Sequence, residues 1–193
     1  MQVAGLTDVI AVAAGYDHAL ALKSDGSVWA WGKNLSGQIG DGSTTDRLTA
    51  VQVPALSGIT SIAAGDGFSL AVQQDGGLGG LLWSWGKNVS GQLGDGSTLM
   101  RSRPVRVLGI DDAQSATAGE AFGIVRLATG AVWAWGRNSD EEVGGGFSSP
   151  YTVAPAVVAP LGAIVTLSAG QRHSMAADAD GYVAMSGKIE VRR

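Results

Sequence analysis

Apolar and polar residues alternate with a period of two in short runs along the whole chain. In HALAL (His18 to Leu22), His18, Leu20 and Leu22 share one parity and Ala19 and Ala21 the other. Phe68, Leu70 and Val72 repeat this beside Ser69 and Ala71. A period of two sends successive side chains to opposite faces of a strand, so these runs predict strands with one bulky and one small face. Such strands suit sheets stacked face to face, because the small face lets the next sheet approach. Three other runs recur with this one. They are a small-residue stretch ending in Ala-Gly, such as ITSIAAG (Ile59 to Gly65); VWAWG (Val28 to Gly32); and AVQV (Ala50 to Val53), matched by PVRV (Pro104 to Val107) and PAVV (Pro155 to Val158). Proline at the start of the last run fits an outer edge, where the ladder needs no N–H. Asp25-Gly26, Asp75-Gly76, Thr129-Gly130 and Asp180-Gly181 fall between the second and third runs and read as hairpin turns.

The runs belong to an internal repeat. WAWGKNLSGQIGDGST (Trp29 to Thr44) and WSWGKNVSGQLGDGST (Trp83 to Thr98) agree at thirteen of sixteen positions. WAWGRNSDEEVGGGFS (Trp133 to Ser148) keeps the first half and changes the second. Ala-Gly recurs with its glycines at Gly15, Gly65, Gly119 and Gly170, spaced by 50, 54 and 51 residues. The fourth copy ends in AMSGK (Ala184 to Lys188), with Ala184 and Ser186 where the others carry Trp. The second copy is longer only at its hairpin, QQDGGLGGLLW (Gln73 to Trp83) against KSDGSVW (Lys23 to Trp29). Four short strands every 50 or so residues predict an all-β fold, a β-propeller of four-stranded antiparallel blades. One domain over 1–193 is expected, with repeats near 8–57, 58–111 and 112–163 and an incomplete one at 164–193. MQVAGL (Met1 to Leu6) aligns with VQVPAL (Val51 to Leu56), so 1–7 is expected to supply an outer strand. Three arrangements follow: four blades closing alone, two chains exchanging end strands into a larger ring, or an open arc. A four-blade ring needs a wide angle between blades, which favours a partial ring or a ring closed by dimerisation.

At these residues the chain resembles the regulator of chromosome condensation repeat family. That repeat reads A-G-x-x-H-S-L-A-L…D-G-x-V-W-x-W-G-x-N-x-x-G-Q-L-G-x-G, followed by a Pro-led strand. Copies one and two follow it nearly throughout, copy three to Asn138, and copy four through Gly187. The resemblance implies a propeller, usually seven-bladed, that works by binding. Guanine-nucleotide exchange on a small GTPase and inhibition of an enzyme are alternatives it brings. Ultraviolet photoreceptors of this kind carry extra Trp in the loops after Ala-Gly; those loops here hold none, which disfavours photoreception.

Composition narrows the chemistry. The chain has 193 residues, 30 of them Gly and none Cys, which excludes disulfides, thiolate metal sites and a Cys nucleophile. Thirteen Lys and Arg against seventeen Asp and Glu give a net charge of −4, against a nucleic-acid partner. No run of about 20 apolar residues predicts a spanning helix, and no basic start predicts a signal peptide. The expectation is no membrane association and, by default, a cytoplasmic location. The paired tryptophans recur once per repeat and are expected to pack between blades, with the indole N–H bonded to a neighbouring loop. His18 and His173 share a position with Phe68 and Phe122, which marks packing rather than catalysis or metal binding. Asn34 and Asn88 are expected to cap the tight GQIGDGST and GQLGDGST loops.

These readings predict a non-enzymatic protein-interaction scaffold with no cofactor and no metal, binding an unspecified protein partner through blade loops, with a homodimer through terminal strands as a further option. The candidate partner-binding residues are those that vary after Ala-Gly: Tyr16, Asp17, Asp66, Glu120, Gln171 and Arg172. Asp140, Glu141 and Glu142 join them, because they replace the Ser-Gly-Gln of copies one and two and offer an acidic contact to a basic partner. An enzyme would instead need convergent acids, for which Asp17, Asp66 and Glu120 are the candidates.

Overall fold

The two faces read from single strands each continue across a whole sheet. In the computed structural model, which describes residues 3–74, 76, 79–144, 149–158 and 164–187, the first sheet orders β1 (Val9–Ala14), β2 (His18–Lys23), β3 (Val28–Gly32) and β4 (Arg47–Gln52), each antiparallel to its neighbour. Ala13, Leu20 and Ala30 form one cross-strand row, and Val12, Ala21 and Trp29 form a row on the opposite face. The second sheet repeats the plan with β5 (Ile59–Ala64), β6 (Phe68–Gln74), β7 (Gly80–Gly86) and β8 (Arg101–Arg106). The third has β9 (Ala113–Ala118), β10 (Phe122–Leu127), β11 (Val132–Arg137) and β12 (Tyr151–Val157). The fourth has three strands among the described residues, β13 (Ile164–Ala169), β14 (His173–Asp178) and β15 (Val183–Gly187).

The inner strands β1, β5, β9 and β13 lie side by side in chain order, and the four blades form an open arc. The core lies between blades. Leu20, Leu22 and Val28 of the first blade pack on Ala71, Trp83 and Trp85 of the second. Leu70, Val72 and Leu82 of the second pack on Ala116, Trp133 and Trp135 of the third. Ile124, Val132 and Ala134 of the third pack on Leu167, Ala169 and Ala176 of the fourth. Each junction thus sets the bulky face of one blade's second strand against the opposite face of the next blade, which carries the tryptophans at the first two junctions.

Two details differ from the sequence expectation. The outer strands begin at Arg47, Arg101 and Tyr151, earlier than the apolar runs, because each pairs with its inner neighbour in two segments across a register shift. Pro104 and Pro155 therefore sit inside β8 and β12, which as outer edges need no second ladder partner. The longer hairpin of the second copy also joins two blades: Gly80 pairs with Ala113 at the start of β9. Asp75 of that hairpin lies outside the described residues, as do Met1, Gln2 and residues 188–193. Residues 4–5 form a turn, as the aligned residues 54–55 do.

The Ala-Gly marker has a steric cause. A Cβ on Gly65 would meet the Gly119 carbonyl oxygen of the next blade at 2.5 Å and would strike the Phe68 ring of its own. Gly15 meets the Gly65 carbonyl at 2.6 Å and the His18 ring in the same way. The ring three residues on lies flush against the glycine, so His and Phe interchange there. Gly65→Ala is expected to lower stability by about 3 kcal/mol, since neither a backbone carbonyl nor a fully buried ring can move aside. The urea midpoint of the variant measures this.

Candidate functional site

In the first three blades, the loop after the third strand folds around one buried asparagine. Asn34 donates from Nδ2 to the Ser43 and Thr45 carbonyls (3.1 and 3.0 Å) and accepts from the Ile39 N–H at 2.9 Å. Asn88 repeats this with Ser97, Leu99 and Leu93. Burial pushes the Asp41 carboxyl up, but hydrogen bonds from Ser43 and the Arg47 guanidinium outweigh it and hold it below the usual range. Asp95, Ser97 and Arg101 do the same in the second loop. These internal bonds occupy most polar groups of the GQIGDGST and GQLGDGST loops, Gln92 Nε2 being an exception. They also aim one carbonyl at the next blade: Trp85 Nε1 donates to the Gln38 carbonyl and Trp135 Nε1 to the Gln92 carbonyl, each at 2.8 Å.

At the same end of the blades, the loops after Ala-Gly are tied in series. The Tyr16 N–H donates to the Gly65 carbonyl (3.3 Å), Asp66 to Glu120 (3.1 Å) and Glu120 to Gln171 (3.1 Å). They border an open cleft of about 650 Å³ on the concave side of the arc, rimmed by Tyr16, Asp66, Glu120 and Gln171. Tyr16 is 84% exposed. Asp66 pairs with Lys87 at 2.9 Å, and Asp17 accepts weakly from Gln38 Nε2 at 3.4 Å.

The remaining candidates converge at the junction of the third and fourth blades. Arg137 donates from Nε to Glu142 at 2.6 Å and pairs through Nη1 with Glu120 at 3.1 Å. Arg172 reaches Glu120 (3.6 Å) and Asp140 (3.5 Å). The Arg137 hydrogen bond holds the Glu120 carboxyl below its ordinary range. Burial opposes the Arg137 charge, but its pairing with Glu120 and Glu142 outweighs this and pushes its pKa up. Glu142 is fully buried. This corrects the expectation of a solvated acidic contact: Glu142 takes the place of Gln38 and Gln92, and its Oε2 accepts from the Asp140 N–H as their side chains accept from Ser36 and Ser90. Asp140, Glu120 and Arg172 are half-buried in the same network, and Glu141 alone of the three acids projects outward. The sequence reading missed Lys87 and Arg137. Their signal was present, since each follows Trp-x-Trp-Gly and bonds its N–H to the loop after Ala-Gly, at the Gly67 and Ala121 carbonyls.

Comparison with known proteins supplies the family. Models described as Regulator of chromosome condensation (RCC1) repeat match residues 9–38 and 59–92 in one form, and 25–72, 79–125 and 129–177 in another. The chain belongs to the RCC1 repeat family. It is 32% identical over 182 residues to the ultraviolet-B receptor UVR8 of Arabidopsis thaliana, covering 88% of this chain and 39% of that protein. It is 33% identical over 187 residues to the probable E3 ubiquitin-protein ligase HERC3 of Homo sapiens, covering 94% of this chain and 17% of that one. Among solved structures, Prp20p of Saccharomyces cerevisiae superposes with a TM-score of 0.82 at 24% identity, over 96% of this chain and 47% of its own. Yeast RCC1 (Prp20) bound to Kap60 gives 0.79 at 25% identity, over 93% and 43%. The chain therefore spans less than half the length of these relatives.

His18 gives the RCC1 framework here a pH dependence. It is buried, its Nε2 meets Ser69 Oγ at 2.9 Å, and Ser69 Oγ donates onward to the Gln38 carbonyl, so Nε2 carries the proton. Nδ1 is buried with no partner. Desolvation lowers the pKa from 6.5 to about 4, against the opposing pull of Asp17 and Asp66. The unfolded chain gains a proton near pH 6.5 and the folded chain only near pH 4, so stability is full above this window and falls by about 3 kcal/mol across it as the pH drops. His18→Phe, the residue that the second and third blades carry, is expected to flatten that fall. Denaturant midpoints at pH 7.5 and 4.5 for both proteins check it.

Proposed function

We propose that this chain is a non-enzymatic protein-binding scaffold that grips its partner with the rim of loops after Ala-Gly. One observation carries the reading. The Asn-centred loops and indole bonds repeat between blades, while Tyr16, Asp66, Glu120 and Gln171 occupy one equivalent place in four loops and differ in every copy. Framework constrains the first set; of the second, Asp66 and Glu120 pair within the chain, while the Tyr16 and Gln171 side chains make no hydrogen bond among the described residues. Tyr16, exposed at the rim, is the kind of aromatic that anchors an interface. The Kap60 complex of yeast RCC1 supports a protein partner for a propeller of this family. The Tyr16→Ala, Gln171→Ala double variant is expected to lose partner capture at least about tenfold, about 1.4 kcal/mol, at an unchanged unfolding midpoint. Asp25→Ala, at the opposite hairpin end, is expected to capture normally. Capture lost with Asp25→Ala and kept by the rim variant, read by quantitative mass spectrometry, would refute the rim. Faster nucleotide release from a small GTPase on adding the chain would make the binding an exchange activity.

A second copy of the chain is a further protein partner, favoured by its two uncovered faces. The first blade exposes Ile10 (63%) and Val12 (74%), and Val12 occupies the place of Ile62, which packs on the preceding blade. Trp31 on that face has no acceptor among the described residues, where Trp85 and Trp135 each have a loop carbonyl. The fourth blade exposes Val183 (65%) and Met185 (56%), in the places of Val28 and Ala30. The chain thus carries both halves of a junction that it makes three times internally, and a head-to-tail pair that closes covers all four free faces. The sequence has no Cys, so mixing Val12→Cys with Met185→Cys protein is a clean test. A disulfide between the two variants is expected. Monomer mass in solution, or crosslinking of Val12→Cys with itself, would overturn the pairing.

A further inference from the structure

The junction between the third and fourth blades lacks both indoles that fill the other two. Cross-strand rows place Ala64, Ser69 and Trp85 together in the second blade and Ala118, Gly123 and Trp135 in the third. The same row in the fourth blade is Ala169, Ser174 and Ser186. Ala184 likewise stands where Trp83 and Trp133 stand. A cavity of about 180 Å³ lies at this junction, lined by Ile124, Ala134, Val143, Leu167, Ala176 and Ala184 among others. Its walls are mainly aliphatic. An apolar cavity of about 150 Å³ suffices to hold benzene.

One polar group beside it is specific: the Glu142 carbonyl, which is bonded to Ser174 of the cavity wall. At the first junction the Gln38 carbonyl accepts twice, from Ser69 Oγ at 2.9 Å and from Trp85 Nε1 at 2.8 Å. The equivalent Glu142 carbonyl accepts from Ser174 Oγ at 3.0 Å, and no second donor reaches it among the described residues. A carbonyl oxygen has two lone pairs, so the direction that takes an indole N–H elsewhere is open here. The Glu142 side chain that fixes this loop is held by Arg137, which keeps the acceptor in place.

We propose that this cavity is a binding site for a small, flat aromatic carrying one ring N–H, of the indole class. The ring occupies the space of the missing Trp side chain between Leu167, Ala134 and Ala184, and its N–H donates to the Glu142 carbonyl. The proposal rests on neither partner capture at the loop rim nor pairing of the outer blade faces, so it stands or falls apart from both.

The probe is free indole added to the whole chain. Indole in excess over its dissociation constant is expected to raise the melting temperature by about 2 °C or more. 1-Methylindole, which lacks the donor, is expected to bind at least about tenfold more weakly, the loss that accompanies an unmade hydrogen bond in a buried site. Ser186→Trp is expected to fill the cavity from within, raise the melting temperature of the free protein and abolish the response to indole. No response of the wild-type protein to indole overturns the site. Equal binding of indole and 1-methylindole overturns the role of the Glu142 carbonyl. An unchanged indole response in a folded Ser186→Trp protein overturns the location. If that variant does not fold, the comparison of indole with 1-methylindole still decides the proposal.

Discussion

The arc depends on one contact made between blades: a loop carbonyl of one sheet accepting the indole N–H of the next. The Gln38 and Gln92 carbonyls receive Trp85 and Trp135 in this way, and both indoles are fully buried. A buried indole without an acceptor would lose much of what its large apolar area gains, so the loop that presents the carbonyl must be rigid. Asn34 and Asn88 make it rigid from inside. The Ala-Gly glycine acts at the same end of the blade, where only a residue without Cβ lets a carbonyl of the neighbouring blade come close. Two short motifs thus fix the spacing of the first three blades at a single end of the sheet, the end at which the variable loops stand.

Departures from the repeat are compensated locally. In the third copy, Arg137 and Glu142 replace the Lys and Gln of the first two, and the change is paired: the guanidinium joins Glu142 to Glu120. An arginine here, with its forked donors, bridges two carboxylates where lysine, as Lys87 with Asp66, meets one. The second copy shows the cost of a missing partner. Gln38 Nε2 has Asp17, but Gly67 stands in that place for Gln92, whose Nε2 is buried without a bond. The fourth copy drops both tryptophans, and the third-to-fourth junction holds a cavity of about 180 Å³.

Much of this was legible in the chain. The alternation in His18 to Leu22 gave the strand, its faces and its place in a stack, because the side-chain period is a property of the backbone alone. The equivalence of His18 with Phe68 marked a packing position correctly, since a ring on glycine needs flatness more than it needs a particular heteroatom. Glu142 was misread. Asp-Glu-Glu in a loop looks solvated by composition, and only the approach of Arg137 from the preceding strand reveals a buried pair. The start of each outer strand was also misplaced, because the apolar run marks where side chains are buried, while the ladder continues into polar residues beyond it.

The sequence by itself determined the repeat, the four-strand blade and the residues that must be glycine, asparagine or tryptophan, because these are set by local backbone geometry and by periodic burial. Tertiary structure alone decided which polar side chains are consumed inside the molecule and which stay exposed. That distinction belongs to pairs of residues far apart in the chain, such as Glu120 with Arg172 or Gln38 with Trp85, and no local pattern encodes the distance between them.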